Sequence, residues 1–377
     1  MRMLHDPESI RMAVARHFVL FLVLFVVMLA AFLTSVTSGR GGMVLLIDQI
    51  VVPVLYFLLL LSHAARGQGL VVMLRTLMLS LVALVCGVAV LQWITGSVIF
   101  FQSGFSTQYW FARDSGRWMG TLDQPLALSL VICVAAPLVI GIGRPWLQAA
   151  LLGLMSVGML ISQSRVGLAS LAVSIFAVLI FTRRPVWVKS AMLVVMAGGG
   201  AAIMASPLIA GVAARLSNDT GSTEARGLAL EYYLSRWADY ALAGDGIGSS
   251  YRVAAQAGLE TSLENPTLMY GIDIGVVFAG LYFGSMLVLL ARYGRRTGYP
   301  GLMLAGIMAL AIPQTYSSLA TRSAAGIVVW TVFAMVVIAA DEARERSNLE
   351  RARVPAADPA PMAGDLYAPE LPGSRLP

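Results

Sequence analysis

Arginine is the residue with which this chain is best equipped to do chemistry. Of its 26 basic residues 25 are arginine, and Arg117, Arg165, Arg226 and Arg322 each stand beside an apolar run or in the loop leading to one. A planar guanidinium grips phosphate oxygens through forked, charge-assisted hydrogen bonds that a lysine cannot reproduce. Gathered at one mouth, four of them would bind a diphosphate. Taken singly, each could instead snorkel to lipid headgroups or cap the C-terminal end of a helix. Two acids could serve beside them as the base that takes a proton from a hydroxyl. Glu264 immediately precedes an apolar run and Asp273 lies inside it, where an ionisable group is a functional candidate. For Asp273 the competing role is pairing with a nearby arginine or with polar groups. There is no Asp-x-Asp pair, and His5, His17 and His63 flank other segments, so neither a metal site nor a cofactor is expected. Cys86 and Cys133 sit alone in separate apolar runs and read as packing residues. Asp48, also within an apolar run, reads as a buried hydrogen-bonding group.

The elements that must carry these residues are membrane spans. Among 377 residues 58% are apolar and 12% charged, with a mean hydropathy of +0.79. That leaves too few charges to clothe a soluble globule, and nothing in the charge pattern points to nucleic acid. Apolar stretches of spanning length predict an all-α, polytopic bundle of ten helices near 17–36, 43–62, 70–94, 124–142, 146–163, 166–182, 186–206, 267–291, 299–319 and 324–341. Lys and Arg flanking these segments divide sixteen to one side against five in the short loops of the other, Arg40, Arg113, Arg117, Arg165 and Arg322. The positive-inside rule then puts both termini in the cytoplasm and the four candidate arginines outside. Residues 1–341 form the membrane domain. A large external loop, 207–266, is inserted between the seventh and eighth spans, and a disordered, Pro- and Ala-rich cytoplasmic tail occupies 342–377. Within the loop, Leu230, Tyr233, Leu234 and Trp237 recur at helical spacing and predict an amphipathic helix able to lie in the interface. Gly271, Gly275, Gly280 and Gly284 offer the small-residue spacing that lets helices approach closely.

In order, these residues resemble a family. Arg117-Trp-Met-Gly120-Thr121-Leu-Asp123-Gln-Pro125, then Ser162-Gln-Ser164-Arg165-Val-Gly167, then Glu224-Ala-Arg226 with Trp237 and Gly244-Asp-Gly246-Ile-Gly248, and finally Glu264-Asn265 with Asp273-Ile-Gly275, are similar to the motif series of the O-antigen ligase and polysaccharide polymerase superfamily. The similarity covers roughly 113–290. It implies a GT-C-like membrane fold in the bacterial inner membrane and a glycan carried on undecaprenyl pyrophosphate as the donor. The reaction implied is transfer of that glycan outside the membrane, with the diphosphate expelled. Arginine would there replace the metal ion of other transferases, Arg117, Arg165, Arg226 and Arg322 binding the diphosphate and Glu264 or Asp273 acting as base. A flippase and a chain-length regulator are implied as partners. Ligase members commonly carry a histidine where this chain has Glu264, which favours the polymerase branch. A peptidoglycan polymerase of the shape, elongation, division and sporulation group would show a Pro-x-x-His-Thr-Asp segment where Ser262 to Thr267 stand here. A lipid-linked glycan transporter would show internal repeats or paired midplane charges.

Overall fold

The computed structural model describes residues 7–37, 39–64, 69–100, 116–182, 184–204, 220–259, 263–320 and 324–353. Among them there is no strand, and each of the expected apolar segments is helical. By length and composition six helices can cross a membrane, within Phe18–Val36, Gly41–Ala64, Leu70–Thr95, Pro145–Ser162, Val276–Arg296 and Ala325–Arg351, and Pro125–Gly141, Arg165–Phe181 and Leu302–Thr315 are shorter apolar helices. This is the pattern of a multi-pass membrane protein. Large apolar side chains such as Phe25, Phe32, Leu81, Leu84 and Phe176 stay exposed along the flanks, more apolar surface than a soluble monomer shows to water.

In chain order the elements are α1 (Pro7–Arg16), α2 (Phe18–Thr37), α3 (Gly39–Leu46), α4 (Val52–Ala64), α5 (Leu70–Thr95), α6 (Pro125–Ala135), α7 (Pro145–Ser162), α8 (Arg165–Phe181) and α9 (Val186–Met204). They continue with α10 (Thr220–Arg236), α11 (Ser249–Gln256), α12 (Pro266–Ile274), α13 (Val276–Tyr293), α14 (Leu302–Ala311) and α15 (Ala325–Arg353). Proline opens α6, α7 and α12, where its missing N–H costs nothing. Between α3 and α4 the helix widens to a π turn over Ile47–Val51. Pro53 has no N–H for the Gln49 carbonyl, and the Val52 N–H bonds back to Ile47 instead.

The bundle is organised around α15, 78% of whose apolar window is buried against 28 to 44% for the other five spans. It packs on α4, α14, α13 and α6. At its heart Trp330 stands 5.0 Å from the Phe57 ring and donates its indole N–H to the Tyr282 hydroxyl at 2.9 Å. Tyr270, fully buried, stacks near Tyr282 and donates to the Leu319 carbonyl at 2.7 Å. Each polar tip in this aromatic core thus has a partner.

Two expectations need adjusting. The expected span at 267–291 is two helices, broken at Gly275, whose φ of +105° and close approach to the Leu242 and Ala243 backbone exclude a side chain. Asp273 therefore ends a short separate helix. The segment from 342 to 353, expected within the tail, continues α15, because Asp341 and Glu345 pair with Arg16 and Glu342 accepts from Tyr299 at 2.9 Å.

Candidate functional site

At the bundle end where α2 and α5 finish and α8 begins, separate segments bring candidate residues together. Arg117 is buried, and its Nε donates to the Ser162 carbonyl at 3.1 Å. The next residue, Trp118, bonds through its backbone to Ile161, so Arg117 lies along the turn that carries Arg165. Gly120 then takes a φ of +66°, with its N–H and carbonyl both held by the buried Gln92 side chain at 2.9 and 2.8 Å. A Cβ there would stand 2.5 Å from the Val85 carbonyl oxygen, so glycine is required both by conformation and by space.

The Ser162–Gly167 turn divides its work. Gln163 adopts the left-handed conformation that ends α7, with φ +53°. Ser164 caps α8, accepting from the Gly167 N–H at 3.1 Å. Gly167 allows α6 and α8 to close, since a Cβ there would sit against Ser129 and Met159. Arg165 takes the first helical position, half-buried. A cation at the positive end of a helix dipole is unfavourable by about 0.3 to 1 kcal/mol, so its placement calls for a reason outside the helix.

Arg226, on α10, pairs with Glu264, Nε to Oε2 at 2.8 Å, and donates through Nη2 to the Thr315 carbonyl at 3.3 Å. Thr315 closes the 3-10 turn Ile312–Thr315, which also packs on α6, α8 and α12. Asn265 caps α12 and donates to the Gln314 carbonyl at 3.1 Å, while Thr267 reaches the Gln314 side chain at 2.7 Å. One short turn therefore links the helix that Arg165 opens, the Arg226–Glu264 pair and the start of α12. Glu264 itself is left-handed, φ +50°. Arg322 lies outside the described residues, as does Arg113.

Asp273 has a different setting. It is buried, and its Oδ1 accepts from the Ser250 N–H at 2.7 Å and the Ser249 hydroxyl at 3.1 Å, capping α11 from another helix. The glycine series of the loop clasps the same spot. Asp245 and Gly246 N–H groups bond to the Ile272 and Asp273 carbonyls at 2.9 and 2.8 Å, and Gly244 lies so close that any Cβ would collide with that backbone. These contacts fasten the loop to the bundle. The amphipathic helix expected in the loop is present as α10, burying Ala229 and Tyr233, the latter against Gly271, and exposing Leu230 and Leu234, while Trp237, also exposed, opens the 3-10 turn that follows.

Sequence reasoning missed one feature. Asp48, taken above for a buried group, is exposed and lines an open cavity of about 680 Å³ together with Asp123, Thr121, Leu122, Ile327 and Ala324, the last directly following 321–323. Asp48 sits in the π turn, and Asp123 follows the pinned Gly120. Asp123 Oδ1 is enclosed with no hydrogen-bond partner among the described residues. Burial, with the negative charge of Asp48 adding to it, pushes the Asp123 carboxyl up to about 7, against backbone N–H bonds that pull it down. The signal in the sequence was Pro53, which sets the turn that carries Asp48. Among the described residues no cluster of three His, Cys, Asp or Glu side chains could hold a metal ion.

No family model matches the chain. Nor does any curated protein.

Proposed function

We propose that this chain is a glycosyltransferase of the bacterial inner membrane that polymerises undecaprenyl-pyrophosphate-linked oligosaccharide repeat units on its external face. Ten crossings, a GT-C-like bundle and cytoplasmic termini belong to this reading, as do a flippase that delivers the donor and a regulator of chain length. The observation that carries it is the joining of distant stretches of chain at one end of the bundle, where Arg117 bonds to the turn that carries Arg165, and Arg226 bonds to the 3-10 turn that packs on the helix Arg165 opens.

In this reading Arg117, Arg165, Arg226 and Arg322 hold the diphosphate. The acceptor hydroxyl oxygen attacks the anomeric carbon, the bond from that carbon to the diphosphate oxygen breaks, and the lipid diphosphate leaves with the electron pair. Charge gathers on the leaving group as the bond lengthens, and guanidinium donors already in place stabilise it most in the transition state. The proton of the hydroxyl passes to a carboxylate. Asp123 faces the cavity and, near neutrality, is poised for a base. Glu264 is engaged by Arg226, and Asp273 acts by holding the loop.

Purified chain in liposomes, given a lipid-linked oligosaccharide, should yield a ladder of longer lipid-linked glycans. Movement of intact substrate across the bilayer without elongation would instead make it a transporter, and transfer only to a lipid A core would make it a ligase.

A further inference from the structure

Gly280 and Gly284 were expected to let helices approach, yet an added Cβ at either position would meet open space. They floor a groove. It measures about 570 Å³ and runs between α13 and the start of α2, walled by exposed Phe18, Val19 and Val288. At one end the lining changes from apolar to cationic. Arg16 and Arg292 both line it there, and Arg295 and Arg296 follow, exposed, in the next turn. His17 and Tyr293 close that end, joined at 3.3 Å. Arg16 is held by Asp341 and Glu345 at 3.1 and 3.3 Å. Arg292 has no ion pair among the described residues and lies over the Tyr293 ring at 5.7 Å.

Both walls belong to helices long and apolar enough to cross a membrane, so the groove opens sideways to lipid tails and its cationic end falls at the level of headgroups. We propose that the groove is a binding site for an anionic phospholipid, with an acyl chain lying along Gly280 and Gly284 and the headgroup phosphate on Arg292. Basic pockets between spans suit such headgroups. A second copy of the chain would fit the small-residue floor, but a two-fold contact there would bring the arginines of one copy toward those of the other. The inference is independent of the reaction proposed above and needs only the bilayer.

The test is native mass spectrometry of the full chain in detergent, titrated with dioleoyl phosphatidylglycerol or dioleoyl phosphatidylcholine. Phosphatidylglycerol should bind more tightly. Arg292→Gln should weaken it by about five-fold, the equivalent of roughly 1 kcal/mol per cation at a headgroup, and weaken phosphatidylcholine, whose phosphate is already offset by its own choline cation, by less, while Arg351→Gln changes neither. Gly284→Leu, or Gly280→Leu, should fill the floor and weaken both lipids. Equal affinity of the Arg292→Gln variant for phosphatidylglycerol would overturn the assignment, and so would native-like binding by a folded glycine variant. A dimer that Gly284→Leu dissociates would give the groove to a second copy. Arg292 is on the surface, so its variant decides the matter even where a leucine is not accommodated.

Discussion

Replacing Arg226 by lysine separates a diphosphate clamp from a surface ion pair, because the two roles differ by about 2 to 4 kcal/mol. As a fold contact Arg226 does little. Its side chain is 44% exposed and that of Glu264 22%, and pairs this open to solvent contribute about 0 to 1 kcal/mol. Lysine keeps the charge and can still reach Glu264, so stability should fall by less than about 1 kcal/mol. As a clamp, the arginine offers more than the bond to Glu264 uses. Only Nε and Nη2 are taken up by Glu264 and Thr315, and Nη1 takes part in neither bond. Losing a preorganised donor to a leaving group costs roughly 2.7 to 4 kcal/mol, about a hundred- to a thousand-fold in rate. The assay is the initial rate of glycan elongation in liposomes holding equal amounts of each protein, with a thermal melt in detergent alongside. A rate within about threefold of the native one, far short of the loss of a transition-state donor, would refute the clamp. A loss matched by Glu264→Gln and no deeper in the double variant would show that Arg226 serves only to hold Glu264.

Asp273→Asn should retain near-native stability and turnover, because the amide oxygen can still accept from Ser249 and Ser250. Asp273→Ala should lose about 1 to 3 kcal/mol in a melting assay by stranding the buried Ser250 N–H; an inactive but stable Asn variant would make Asp273 the base after all. Elongation should fall as pH drops below about 7, where Asp123 takes up a proton and can no longer accept one. Asp48→Asn removes a like charge, lowers the Asp123 pKa and should move that limb to lower pH; an unmoved limb would separate the two groups. Gly120→Ala should fail to accumulate as folded protein, since the new methyl meets the Val85 backbone as well as a strained φ, and normal yield would contradict the pinned turn. Cysteine at Gly227 should react with an impermeant thiol reagent in intact cells and cysteine at Gly143 should not, both positions being open and Cys86 and Cys133 buried; reversed labelling would invert the topology and move the site to the cytoplasm.

The helices were legible in the sequence because bilayer thickness and apolar run length are coupled directly, and the junctions were not. The break at Gly275 lies within a stretch whose apolar run carries one acid, Asp273, and no proline, and the approach of Leu242 and Ala243 from the loop explains it. The Ser162–Gly167 turn could be picked out as a motif, yet its division into a cap, a left-handed terminus and a close-packing glycine depends on neighbours far along the chain. Asp48 was misread for a similar reason. A single acid in an apolar run says nothing of which way a widened turn will aim it, and its partner in the cavity, Asp123, is supplied by another segment. Asp273 was noticed for its chemistry, and its two acceptor bonds to the start of α11 depend on a segment more than twenty residues earlier in the chain.

The burial of α15 bears on how the protein is made. The helix enclosed by the most neighbours is also the last of the described helices to leave the ribosome. Until it arrives, Phe57 and Tyr282 lack the indole that joins them, and α4, α13 and α14 face a slot that only lipid can fill. Earlier segments must therefore enter the bilayer as a loose ring and tighten around a latecomer. A chaperone that shields the open slot would be needed most in the interval before residue 325 emerges, and stalled chains of that length should be the ones most readily degraded.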